Sequence, residues 1–279
     1  MSNAASARRR YSGPIKAVIL DWAGTTVDYG SCAPVAALTA AFAAKCITVT
    51  TEQARRPMGR HKKDHIRDIL RMPEVAAQWL DWHDRPYTEA DIDALFNTFL
   101  PLQLAFIVQY ADPIPGVIDA IRRLRRQGVK IGSTTGYTRA MMDALAPEAA
   151  RRGYAPDAIV CADEVHAGRP YPWMCYQNAI ALQVYPMAAF VKIGDTPLDI
   201  EEGLNAGMWT IGLTRCGNEL GLTETEINAL PAETLAQRLT VARERLLAAG
   251  AHYTAETLLD AIPLVDEINA RLRQGDSPI

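Results

Sequence analysis

The chain has no C-x-x-C pair and no even set of cysteines. Cys32, Cys46, Cys161, Cys175 and Cys216 stand apart along 279 residues. That excludes a zinc knuckle and a disulfide framework as the organising device and predicts reduced thiols in a cytoplasmic protein. No uninterrupted apolar run reaches the roughly 18 residues of a bilayer span, so no membrane segment is expected. Arg8-Arg9-Arg10 precedes an apolar stretch that stops at Asp21, too short for the core of a signal peptide. Charge of one sign is missing too. A formal net charge of −3 argues against a nucleic-acid partner bound by broad phosphate neutralisation, while leaving room for a small basic pocket. Internal repeats and low-complexity tracts are absent. What the chain has in quantity is apolar surface: 49% hydrophobic against 22% charged residues predicts a folded globular body. Residues 1–13 alone read as a disordered leader.

Four short apolar runs, at residues 16–20, 129–132, 158–161 and 190–193, are joined by a fifth at 209–213. Helical patterns alternate with them. Met141, Met142, Leu145 and Ala149 recur at three- and four-residue steps within 138–152, and residues 198–206 close on Gly207. Strands alternating with helices predict an α/β, Rossmann-like parallel sheet with right-handed crossovers. One stretch breaks the rhythm. More than a hundred residues separate the first two strands, and they carry helical patterning at 33–45, 62–71 and 88–110, with a kink expected at Pro101. Thr50 and Gln53 form a capping-box signature, and Pro115-Gly116 opens a returning helix at 117–127. The simplest division is a core of residues 14–30 and 112–279 with a helical lid at 31–111. From about residue 223 onward the chain reads as helical, with Leu239, Ala242, Leu246 and Leu247 on one face.

In open parallel sheets ligands bind beyond the carboxyl ends of the strands. Those ends carry Asp21 to Asp28, then Ser133-Thr134-Thr135-Gly136-Tyr137-Thr138, then Gly168-Arg169-Pro170, then Gly194-Asp195-Thr196-Pro197-Leu198-Asp199. Each type has a task on a phosphoryl group. Asp21 and Asp195 can share Mg²⁺, a hard cation that takes oxygen ligands, and a carboxylate can attack phosphorus. Thr135 and the Gly136 N–H near a helix start suit an anion, and Arg169 offers fork geometry to phosphate oxygens. Singly these residues read as caps, turns or a surface arginine. Four strand ends in order, each bearing the right type, point to phosphoryl chemistry.

The ordered set D-W-A-G-T-T-V-D, S-T-T-G, a later basic residue and G-D-T-x-x-D resembles the haloacid dehalogenase superfamily. Within it the chain is similar to the phosphonatase family, over residues 16–34, 54–67, 131–142, 168–176 and 192–209, and again at 220–225 and 248–254. The resemblance implies a core with a helical cap and Asp21 as nucleophile. It implies Mg²⁺ held by Asp21, the Ala23 carbonyl and Asp195, with Asp199 ordering the metal's water shell or Asp195. It implies a homodimer, for which the apolar stretch 35–42 is a candidate interface. It also implies a place in two-carbon phosphonate salvage, downstream of an aminophosphonate transaminase.

Superfamily phosphatases place a second Asp two residues after the nucleophile as general acid. Here that position is Ala23, which cannot protonate an alkoxide, a loss of roughly 10²–10⁴ in rate for an ester substrate. A phosphorus–carbon bond has a different need, an electron sink for the departing carbon. The resemblance selects Lys62, in Pro57-Met58-Gly59-Arg60-His61-Lys62-Lys63-Asp64-His65, as a Schiff-base lysine, and implies hydrolysis of phosphonoacetaldehyde to acetaldehyde and phosphate. His65, three residues on, shares a helix face with Lys62 and is a candidate proton relay. Arg60, His61 and Lys63 are expected to lower the Lys62 pKa. Lys63 is also an eligible amine, and a plain basic surface helix would look the same. The family is more apolar at Arg60, His61 and Lys63, which predicts a more solvated or differently shaped lid site. Met58 matches the family's active-site methionine, Tyr137 is a candidate pocket wall, and Ser31 falls where a relative can carry cysteine. Two other readings stand beside this one: a phosphatase or phosphomutase acting on a small phosphate ester, and a non-catalytic phosphometabolite sensor.

Overall fold

The computed structural model describes residues 10–278. Most of the expected leader lies outside them. Of its last four residues Tyr11 is not loose: it is partly buried, donates its hydroxyl to the Pro14 carbonyl at 2.6 Å and lies under the Lys16 ammonium.

The first strand, β1 (Ala17–Leu20), is apolar and buried at all four positions, as a strand covered on both faces requires. Five helices follow it: α1 (Cys32–Ala43), α2 (Thr51–Arg55), α3 (Lys62–Leu70), α4 (Pro73–His83) and α5 (Glu89–Ile107). Helix α6 (Val117–Arg126) leads to β2 (Lys130–Thr135), then α7 (Arg139–Arg151), β3 (Ala158–Cys161), α8 (Trp173–Leu182) and β4 (Phe190–Gly194). The chain continues through α9 (Pro197–Asn205), β5 (Trp209–Leu213), α10 (Glu224–Ala229), α11 (Ala232–Ala248), β6 (Tyr253–Ala255) and α12 (Ile262–Arg273). The six strands are parallel, in the order β3-β2-β1-β4-β5-β6. Leu20, the last residue of β1, is level with Ser133 of β2 and Ile193 of β4. The chain runs outward from β1 through β2 to β3 and then crosses back to β4, β5 and β6 on the other side of β1, so the switch point where α/β sheets bind ligands lies at the end of β1.

The helices between β1 and α6 have local causes. The Asp28 carboxylate caps α1 by accepting from the Cys32 and Ala33 amides, and Thr50 with Gln53 makes the expected capping box on α2. Val35, Leu38 and Phe42 of α1 join Leu95 and Phe99 of α5 in one buried cluster. Each such side chain contributes about 1.5–3 kcal/mol of burial. The large apolar residues of the candidate interface at 35–42 thus face the chain's own core, and Ala36, Ala40 and the half-buried Thr39 are what this stretch shows outward.

Two expectations change. The segment Glu89–Tyr110 is, among the described residues, long and apolar enough to cross a membrane by length and composition. It carries Glu89, Asp91 and Asp93 in its first turns, runs on through Pro101, and buries Ile92, Leu95, Phe99 and Ile107 along one face. The C-terminal third is not all helical. β6 adds a short sixth strand beside β5, too brief and half-exposed to leave a pattern in the sequence, and Leu247 is exposed while Ala242 and Leu246 are buried.

Candidate active site

Asp21 leaves β1 with its amide on the Ile193 carbonyl at 3.1 Å. The chain then curls, the Trp22 carbonyl accepting from the amides of Thr25, Thr26 and Val27. Gly24 permits the curl: its φ is +86°, and a Cβ there would lie 2.4 Å from Asp195 Oδ2. Asp195, at the end of β4, accepts from Thr25 Oγ1 at 2.9 Å and the Asn218 amide at 2.7 Å. Asp199 closes a capping box with Thr196 at the start of α9. One oxygen from each of Asp21, Asp195 and Asp199 fits within a 4.8 Å cluster, and all three residues are buried.

Beside the carboxylates sits a buried cationic pair. Arg169 donates to Asp21 Oδ1 at 2.7 Å, to Glu202 Oε2 at 3.0 Å and to the Thr134 carbonyl and hydroxyl at 2.9 Å, and lies 3.1 Å from Asp199. Lys192, inside β4, reaches Asp199 at 2.7 Å, Thr134 Oγ1 at 3.0 Å and Glu202 at 3.3 Å. Burial raises the Asp21 carboxyl against the pull of Arg169. Burial acts the same way on Asp199, but Arg169 and Lys192 outweigh it and hold that group low. Asp195 is pushed well up by burial and by the charges of Asp21 and Asp199, with no cation bonded to it.

The helical segment between β1 and α6 packs directly on these strand ends. Gly136 makes this possible, since a Cβ on it would strike the Arg60 carbonyl at 2.4 Å. Lys62, the first residue of α3, is 2% exposed; its Nζ is 3.8 Å from Met58 Sδ and 5.2 Å from the Tyr137 ring centroid. Burial brings its pKa down to about 8; Asp21 opposes the shift and Arg169 adds to it. Asp21, Ala23, Ser31, Met58, Lys62, Thr135, Gly136, Tyr137 and Arg169 therefore meet around one narrow space.

Other lid residues lie differently. Arg60 pairs with Asp68 at 3.1 Å and Lys63 pairs with Asp93, so neither depresses Lys62, and Lys63 is turned away from the pocket. Burial lowers the His61 pKa, which removes it as a cation too. The three positions that depart from the family thus do not line the space around Lys62. His65, itself on α3, is fully buried, its Nε2 2.7 Å from the Ala54 carbonyl and its Nδ1 without a partner. Burial, then Lys62, holds its pKa well below the usual histidine value, so the ring is neutral and Nε2 carries the proton. Ser31 shows a buried Oγ with no hydrogen-bond partner, whereas burial raises the Cys32 thiol, so that sulfur is a poor nucleophile.

The sequence reading passes over Lys192, Glu202 and Thr134. A lysine in the apolar run Phe190–Gly194 was the available signal, because a lysine buried in a sheet needs partners. The charge balance also tests the fit of a metal. Asp21, Asp195, Asp199 and Glu202 are buried against Arg169 and Lys192, and Asp195 has no cation of its own. The hard, all-oxygen donor set and the uncompensated negative charge fit a divalent cation such as Mg²⁺.

Comparison with known proteins agrees with this geometry. Residues 15–207 match the model of the haloacid dehalogenase-like hydrolase family. A phosphonoacetaldehyde hydrolase of Nitratidesulfovibrio vulgaris is 50% identical over 270 residues, 97% of this chain and 96% of that one. One from Bacillus cereus is 48% identical over 254 residues, 91% and 96% of the two chains. The crystal structure of a phosphonoacetaldehyde hydrolase-like protein from Oleispira antarctica superposes with a TM-score of 0.95 at 39% identity, covering 96% of this chain and 98% of that one. The chain belongs to the haloacid dehalogenase-like hydrolases, in the group of the phosphonoacetaldehyde hydrolases.

Proposed function

We propose that the protein hydrolyses the phosphorus–carbon bond of phosphonoacetaldehyde through an imine on Lys62 and an aspartyl phosphate on Asp21. The observation that carries this reading is the burial of the Lys62 amine, at a pKa of about 8, in the same small space as Asp21, with Ala23 where an ester phosphatase would need an acid. The free amine adds to the aldehyde carbon, one proton is taken up from solvent and water leaves, giving a protonated imine. Asp21 attacks phosphorus; the phosphorus–carbon bond breaks and its electron pair passes into the imine, leaving a neutral enamine. Protonation at carbon and hydrolysis return acetaldehyde and the Lys62 amine. Water then releases phosphate from Asp21. In this reading His65, whose neutral ring is buried close enough to Lys62 to feel its charge and whose Nδ1 has no partner, relays protons during imine formation.

Arg169, Thr135 and the Gly136 amide stabilise the charge on the transferring group, and Tyr137 and Met58 exclude water around the amine. Asp199 keeps Arg169 and Lys192 in place. Mg²⁺, when held by Asp21, the Ala23 carbonyl and Asp195, supplies positive charge against the phosphoryl oxygens. Because Lys62 and Asp21 belong to the lid and the core, turnover requires opening near residues 29–34 and 111–115. A homodimer belongs to the same reading. A panel assay tests the substrate. With Mg²⁺, phosphonoacetaldehyde should yield equal amounts of acetaldehyde and phosphate, with phosphate esters turned over at least about 100-fold more slowly for want of an acid at position 23. Ester turnover without any from phosphonoacetaldehyde would overturn the reading in favour of a phosphatase or phosphomutase.

A further inference from the structure

Arg55, in the short lid helix α2, lies outside the pocket wall, and the chemistry above makes no use of it. Its guanidinium donates to the Gly30 carbonyl at 2.8 Å and the Gly221 carbonyl at 2.9 Å, with longer contacts of 3.3 Å to the Ser31 carbonyl and Asn218 Oδ1. Asn218 Nδ2 donates back to the Arg55 carbonyl at 3.3 Å. One side chain thus ties together the lid helix, the turn leading into α1, and the core loop at residues 217–222. That loop also reaches the phosphoryl site, because the Asn218 amide donates to Asp195 Oδ2 at 2.7 Å. It has no slack on either side. A Cβ on Gly217 would lie 2.2 Å from Asp195 Cβ, and one on Gly221, whose φ is +62°, would lie 2.6 Å from Arg55 Nε.

We propose that Arg55 and Asn218 form a clasp, a pair of positioning residues that couples closure of the lid to the seating of Asp195. The fork can hold Gly221 and Asn218 only while α2 rests on the core, and the loop it then pins is the one whose amide fixes the Asp195 carboxylate. All four oxygens it engages are uncharged, so the planar, multi-donor shape of arginine is what the clasp uses, which lysine cannot supply. The competing role is steering. Arg55 also borders a wide cleft that shares Met58 and Thr196 with the pocket and carries Arg56, Arg238 and Arg245, the first and last paired with Glu52 and Glu219, so that Arg55 and Arg238 are the arginines there that would draw an anionic substrate. The clasp rests on the reading of Asp195 as part of the phosphoryl site.

Arg55→Lys and Asn218→Ala separate the two roles, measured on the Mg²⁺-loaded full chain. In both variants amide exchange of residues 217–222 should quicken about tenfold or more while β1 and β4 stay protected, which also reports that the fold survives. In both, kcat should fall by about 10- to 100-fold with KM moving less than about threefold, independently of salt. Wild-type kcat or undisturbed loop protection in both variants overturns the proposal. So does a defect confined to KM that lysine rescues and salt alters, since that is steering. If the wild-type protein leaves phosphonoacetaldehyde intact, the functional reading fails, and the exchange comparison still decides the clasp.

Discussion

In the proposed mechanism Lys62 works only as a free amine, and its surroundings determine when it is one. An exposed lysine would be almost wholly protonated at neutral pH; burial brings this one to about 8, from 10.5. The amine-dependent step should therefore rise with pH to a plateau with a limb near 8, measurable as the initial rate of imine trapping. The same shift has a consequence for stability. Between pH 8 and 10.5 the unfolded chain still binds the proton that the folded chain has released, so this group makes the fold more stable as pH rises through that window. At pH 7 the buried ammonium is a net cost, of order 3 kcal/mol. Lys62→Met should be inactive yet melt at a higher temperature than wild type at pH 7, with the gap closing towards pH 10.5. A variant that melts lower at pH 7 would show that Asp21 and Asp28 hold the ammonium more favourably than burial penalises it.

The lid is precise because of a missing side chain at Gly136. A methyl group there has no room beneath the Arg60 carbonyl, so Gly136→Ala should lift the 57–60 segment while leaving the sheet intact. We expect kcat/KM to fall by about 100-fold or more with near-native far-ultraviolet circular dichroism, in keeping with the cost of about 1 Å of misplacement. Unchanged kinetics would mean that the closed lid seen here is not the reacting one. Most elements were legible in the sequence for local reasons. β3 and β5 end where their apolar runs end, and the α2 capping box is written in Thr50 and Gln53. Helix α4, opened by Pro73, was passed over, and β6 is too short to show a period. At the site, motif order gave Asp21, Arg169 and Asp195. Spacing alone could not choose between Lys62 and Lys63; what separates them is tertiary, since Asp93 draws Lys63 outward and Tyr137 covers Lys62. Nor could it show that Lys192 and Glu202 complete the buried network, because their partners are remote in sequence.

For the whole molecule, the closed form gathers more buried carboxylates than cations at one point of the sheet. A divalent ion that binds only the folded chain should stabilise it by about 2.7 kcal/mol at 100 times its Kd, a rise of several degrees in Tm. Asp195→Asn removes a charge that no cation offsets. The variant should melt at or above the wild-type temperature without Mg²⁺ and gain little when Mg²⁺ is added. A wild-type Tm indifferent to Mg²⁺, or an Asp195→Asn variant that keeps the full gain, would contradict this charge balance.

The account's central claim is that the lid amine, and not an acid, makes the carbon leaving group acceptable. Borohydride reduction in the presence of phosphonoacetaldehyde, followed by peptide mass analysis, tests it most directly. The account predicts a reduced adduct on the peptide carrying Lys62, formed equally well in Asp21→Asn, which should release no phosphate. An adduct on Lys63, or none at all in a protein that still releases phosphate, would contradict it.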